Sequence, residues 1–216
     1  MPETPITAPT DQSDIAKLAI SLLKGEDITS ISPADAGSKE ARVMALWFAA
    51  ARQYALEQHP WAFARARRAV SADATAPAFE YTARFELPPD FIRFVRIGEV
   101  WYDPDMDYQR EGNFLLWNDA GPLKLVYIYD HTDISKWTPT FKMYMAYVLA
   151  AFGCYDITGA KDMILPMLEA AEDFLSKNKS INAQGRPPRK IQRSRVAAAR
   201  FGLSVRQDEP WRWGDN

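Results

Sequence analysis

The chain of 216 residues is 47% hydrophobic, 25% charged and 12% aromatic, an ordinary globular composition that excludes collagen-like, low-complexity and wholly disordered proteins. A single cysteine, Cys154, rules out an intrachain disulfide, and two widely separated histidines, His59 and His131, leave little for metal or triad chemistry. The net charge of −2 is unevenly spread: from Ile181 onward eight basic side chains stand against three acidic ones, a net +5, which leaves −7 on the 180 residues before them.

The opening residues, MPETPITAPTDQSD, have neither the basic start nor the apolar run of a secretory signal. The most apolar stretch, Met143 to Phe152, is about ten residues, where a bilayer span takes about 20. A soluble protein of a reducing compartment, with no membrane partner, is expected. The first helix is predicted over Asp14 to Lys24, with Ile15, Leu18, Ala19, Leu22 and Leu23 on one stripe and Gly25 as its stop. After the turn-rich GEDITSISPADAG, a second helix is predicted from an N-cap at Ser38 to about Gln58. Met44, Trp47, Phe48, Ala51 and Ala55 repeat along it at three and four, and His59-Pro60 ends it, because a residue before proline avoids the α region.

Beyond Pro60 the pattern changes, and short β-branched or aromatic runs between prolines appear from Pro77 to Tyr129. In WAFARARRAV, an extended chain would place Arg65 and Arg67 on one face and Arg68 on the other. Ala78 to Leu87, Phe94 to Tyr102, Asn113 to Trp117 and Leu123 to Tyr129 read as strands of a small antiparallel sheet, and Leu123, Leu125, Tyr127 and Tyr129 face one way. Asp103, Asp105 and Asp107 resemble the start of a calcium loop, but Tyr108 and Phe114 stand where that loop needs glycine and glutamate, so a solvated hairpin loop is the better reading.

A third helix should start just after Thr138-Pro139 and carry a wide stripe of Phe141, Tyr144, Met145, Val148, Phe152 and Tyr155. Cys154 lies within that apolar region, as a buried and inert thiol. A fourth helix, from about Lys161 to Lys177, carries Ile164, Met167, Leu168, Ala171 and Leu175. Pro166 requires it to start late or to kink. The Pro/Gly-containing INAQGRPPRK should then be extended, SRVAAARFG could make two helical turns, and Trp211 and Trp213 with Arg206 and Arg212 suggest an anchor for a partner's pocket. The fold class is α+β: a bundle of about four helices (1–72 and 132–180), a small antiparallel β insertion (73–131), and an extended C-terminal docking arm (181–216).

Motifs for catalysis are missing: no HExxH, GxSxG, GxGxxG or P-loop pattern occurs, and no cofactor is called for. The acid pairs Glu86/Asp90 and Asp130/Asp133 could be placed in a glycosidase-like cleft, as any acidic domain would allow. Arg65, Arg67 and Arg68 could bind phosphates. Pairing with the carboxylates of a neighbouring subunit is the stronger reading for an acidic body.

The order of segments, and above all the KEAR…HPW segment (Lys39 to Trp61), LPPDFIRFVRI (Leu87 to Ile97) and TDISKWTPTF, resembles the tail tubular protein A family, the head-to-tail adaptors of short-tailed bacteriophages. The similarity runs over about residues 14–180 and rests on fold signatures. It implies a structural, non-enzymatic virion protein beneath the portal vertex, assembled from the host cytoplasm into a homo-oligomeric, twelvefold ring. In such a ring one side binds the portal protein, the other binds the nozzle (tail tubular protein B), and double-stranded DNA passes through the lumen without specific binding. Arg65, Arg67 and Arg68 would then lie at the subunit interface, and Arg189, Arg193, Arg195, Arg200, Phe201, Trp211 and Trp213 would dock on the portal. Two other classes compete, a tail-associated glycan or peptidoglycan hydrolase and a duplex-DNA-binding accessory protein.

Overall fold

The computed structural model describes residues 9–26, 28–32, 37–98, 108–119 and 121–183. The Asp103, Asp105 and Asp107 loop lies outside the described residues, as do the docking candidates from Arg189 to Trp213. Among the described residues, four helices and two three-stranded antiparallel sheets form an α+β arrangement in which the strands interrupt a helical bundle. No helix among the described residues is long and apolar enough to cross a membrane.

Helix α1 (Gln12–Leu23) begins at Asp11, whose carboxylate accepts from the Asp14 amide at 2.8 Å. Its end differs from expectation. Lys24, not Gly25, takes the left-handed conformation (φ 55°), and the amides of Lys24 and Gly25 reach back to the Ser21 and Ile20 carbonyls. Gly25 meets a different constraint: a Cβ there would come 3.0 Å from Ile20 Cγ2, which would have to give way. Helix α2 (Lys39–Gln58) starts at Ser38, whose hydroxyl accepts from the Ala41 amide, and stops at His59, held extended before Pro60. Met44, Phe48, Ala51 and Ala55 of its stripe are buried, and Trp47 is half-buried with its indole N–H on Asp156 at 2.9 Å.

Helix α3 (Pro139–Thr158) opens with Thr138 as cap and proline in the first turn, and ends at Gly159 (φ 75°). It is buried nearly all round, Phe141, Tyr144, Met145, Val148, Leu149 and Cys154 being fully enclosed, because α1, α2 and the last helix all pack on it. A single stripe therefore understates it, and two members of that stripe lie outside the core: Phe152 is half-buried and Tyr155 is exposed, with Lys161 Nζ over its ring at 4.9 Å. Helix α4 (Ile164–Ala183) follows one 3-10 turn, Lys161–Met163, so Pro166 falls in its first turn, where no intrahelical donor is lost. It runs past Lys177, through the first residues of the stretch expected to be extended.

The strands are β1 (Arg65–Val70), β2 (Ala83–Glu86), β3 (Phe91–Ile97), β4 (Tyr108–Glu111), β5 (Phe114–Trp117) and β6 (Leu123–Tyr129). One sheet has the order β1-β6-β3, the other β2-β5-β4. The strand expected over Ala78 to Leu87 shrinks to four residues, and the one expected from Phe94 begins three residues earlier. Strand β4 falls where only a loop was expected. It pairs with β5 across a two-residue turn in which Gly112 supplies φ 56°. β6 joins two cores: Leu123, Leu125 and Tyr127 enter the small core of the strand unit with Phe85, Leu87, Ile97 and Leu115, whereas Ile128 points into the bundle. Trp61 sits at the seam, 1% exposed, its indole N–H on the Ala55 carbonyl at 2.9 Å and its ring edge-on to Phe141.

Candidate basic interface

Alternation along β1 sends Ala66 and Val70 to the small core and leaves Arg65, Arg67 and Ala69 on the other face. Register then extends that face across the sheet. Arg65, Ile128 and Arg93 stand in one row, Arg67, Val126 and Arg96 in the next, and Ala69 and Lys124 in a third. Arg93 and Arg96 are three apart, so simple alternation would set them on opposite faces. The register of β3 slips between Phe94 and Arg96, and the irregularity returns Arg96 to the face of Arg93.

The two ends of this face have different uses. At the bundle end, Arg65 Nη2 donates to the Pro60 carbonyl at 2.9 Å and Arg93 Nη1 donates to the Glu57 carbonyl, so both serve the carbonyl-rich end of α2. At the far end, Arg67, Arg96 and Lys124 surround an open depression of about 290 Å³, with Val126 in its floor and Arg68 at its rim. Val126 is only 6% exposed although it belongs to neither core, as expected where arginine stems lie over an apolar floor. Arg67 and Lys124 are exposed and Arg96 is half-buried. Arg67 makes no ion pair with the described residues. Arg68 faces the small-core side, near the Tyr127 hydroxyl. Burial and the neighbouring Asp90 push that phenol up, and Arg68 pulls it back in part.

Arg65, Arg67 and Arg68 thus divide by face as an extended chain predicts, whereas Arg93, Arg96 and Lys124 join the face without a signal in the periodicity. The readable signal was the basic spacing in FIRFVRI, which becomes one-sided only through an irregularity that periodicity does not announce.

The acidic candidates are occupied elsewhere. Asp130 accepts from Arg52 Nε and Nη2 at 2.7 and 2.9 Å, tying α2 to the segment after β6. Asp133 caps the 3-10 turn Ile134–Lys136, and Asp90 accepts from the Tyr127 hydroxyl at 3.1 Å. Glu86 lies exposed at the end of β2. Among the described residues no group of three or more His, Cys, Asp or Glu side chains is placed to hold a metal ion. His59 stacks edge-on to Trp61 at 5.0 Å, and Cys154 is fully buried. No protein-family model matches the chain, and no curated protein matches it either.

Proposed function

We propose that this chain is a structural adaptor subunit of a short-tailed phage, a member of the ring that joins portal to nozzle and surrounds the exit path of double-stranded DNA. The observation that carries the reading is where the three resembling segments fall in the fold. HPW forms the end of α2 and the buried Trp61, LPPDFIRFVRI forms β3, and TDISKWTPTF forms the 3-10 turn and cap leading into α3. The first segment as a whole supplies α2 and ends at the seam in Trp61, the second supplies a strand paired with β6, and the third leads from β6 into α3.

The charge distribution suits the task. Neutralising phosphates adds affinity for DNA and would slow its passage, so a net −7 body favours a lumen wall that repels the duplex. The basic stretch beyond α4 belongs on the portal, through Arg189, Arg193, Arg195, Arg200, Phe201, Trp211 and Trp213. The test removes residues 184–216, leaving α4 whole. The truncated chain should keep the wild-type circular dichroism spectrum and melting temperature but fail to co-sediment with portal particles. Wild-type stoichiometry after truncation would defeat the docking role.

The basic depression gives specific ground for the duplex-DNA-binding alternative. That reading requires tight, salt-sensitive retardation of a duplex by the monomer.

A further inference from the structure

Resting on the adaptor reading, we propose that the Arg67–Arg96–Lys124 face of one copy receives the acidic outer face of α4 from the next copy, and that this head-to-tail contact builds the ring. The receiving side is the depression with cations on three sides and Val126 beneath. The presented side is a helix stripe: Leu165, Glu169, Glu172 and Asp173 recur at intervals of three and four and are all exposed, Leu165 at 69%. One surface is cationic around an apolar floor, and the other is anionic beside an exposed leucine. Their complementarity is therefore both electrostatic and apolar.

The two surfaces are on different elements. β1, β6 and β3 pair with one another and adjoin α2, whereas α4 packs on α3. A contact between unlike patches is heterologous, and repeating one closes a ring when the rotation per copy divides the circle. Neither face is strongly apolar, so free chains associate through it only weakly, at high concentration and low ionic strength, and a template that aligns many copies strengthens the contact.

The experiment uses two full-length charge reversals, one on the sheet (Arg67→Glu with Arg96→Glu) and one on the helix (Glu169→Lys with Glu172→Lys). An Arg67→Glu single variant guards against misfolding of the first. Copies bound per portal particle are counted by mass photometry, and lateral contact is scored by crosslinking between adjacent copies. Each reversal alone sets like charges face to face, and lateral crosslinks should fall by about tenfold or more. An equimolar mixture of the two variants restores opposite charges at every contact if copies alternate. It should recover wild-type crosslinking, as should a chain carrying both reversals.

Unchanged crosslinking in both reversals while wild-type chains bind portals would overturn the contact and leave the adaptor reading standing. Loss of duplex retardation on sheet reversal, with copy number unchanged, would also overturn it and assign the depression to nucleic acid. If wild-type chains do not bind portals, the adaptor reading falls. The contact is then judged on concentrated free chain at low ionic strength, where absence of charge-dependent self-association overturns it too.

Discussion

His131 and Asp130 adjoin at the bundle–sheet joint and make its stability depend on pH in two stages. The His131 ring is stacked on Tyr129 and lies against Phe63, and its Nδ1 accepts from the Asp133 amide at 3.2 Å, which assigns the neutral tautomer with the proton on Nε2. Burial pushes its pKa below the ordinary 6.5, against an upward pull from Asp133. The folded state therefore binds fewer protons than the unfolded state between the lowered value and 6.5. Stability is full above that window and falls as pH drops through it. For Asp130 burial is the largest influence and raises the pKa, but hydrogen bonds from Arg52 and Gln53 and the charge of Arg52 outweigh it. The net value lies below the ordinary 3.8. Its contribution is whole above 3.8 and is lost as pH falls through the lowered value. Urea midpoints measured from pH 8 to pH 2 should thus decline in two steps. His131→Gln should flatten the upper step and Asp130→Asn should shrink the lower, to which the likewise lowered Asp14, Asp73 and Asp133 also contribute, and an unchanged upper step in His131→Gln would refute the assignment. Tyr144 has no such balance: among the described residues its buried hydroxyl has no hydrogen-bond partner, and burial pushes its pKa well above the ordinary 10.

Helices α2 and α3 pack tightly at Gly153, where an added Cβ would lie 2.9 Å from Met44 Cε and 3.3 Å from Val43 Cγ1. Alanine there gains helix propensity but asks the flexible end of Met44 to move and Val43 to yield by a few tenths of an ångström. Leucine has no space and must part the helices. Gly153→Leu should cost about 2 kcal/mol, in the range for overpacked cores, and lower the melting temperature by several degrees. A variant as stable as wild type would show that the crossing is looser than these distances. The two helices, though not their crossing, were readable from sequence because periodicity and caps carry that information: Ser38, Thr138 and the His59-Pro60 stop all fall where expected. Strands were harder. A four-residue strand such as β4 offers too few alternations to stand out from a loop, and β1 was readable by face but not by its pairing with β6, a partner more than 50 residues away. The basic face needed both that pairing and the slip in β3. Thus Arg65 and Arg67 were visible as a pair, while Arg96 and Lys124 became their neighbours only in three dimensions.

At the scale of the whole molecule, the proposed ring asks two opposite things of electrostatics: to repel the duplex in the lumen and to attract the next copy at the flank. A uniformly acidic chain would accomplish only the first, because its copies would also repel one another. Gathering Arg67, Arg96 and Lys124 on one sheet face and Glu169, Glu172 and Asp173 on one helix separates the tasks within a single surface. Salt tests this division through the sign of its effect. The Debye length shortens from about 8 Å at 0.15 M to about 3 Å at 1 M, so exposed charges a few ångströms apart lose much of their interaction. Lateral crosslinking of wild-type chains on portals should therefore decline as salt rises over that range. In the Arg67→Glu variant the same screening relieves repulsion, and crosslinking should instead increase from its low starting level. Parallel declines in both proteins would mean that the charges at Arg67 do not face a neighbouring carboxylate, whatever else holds the copies together.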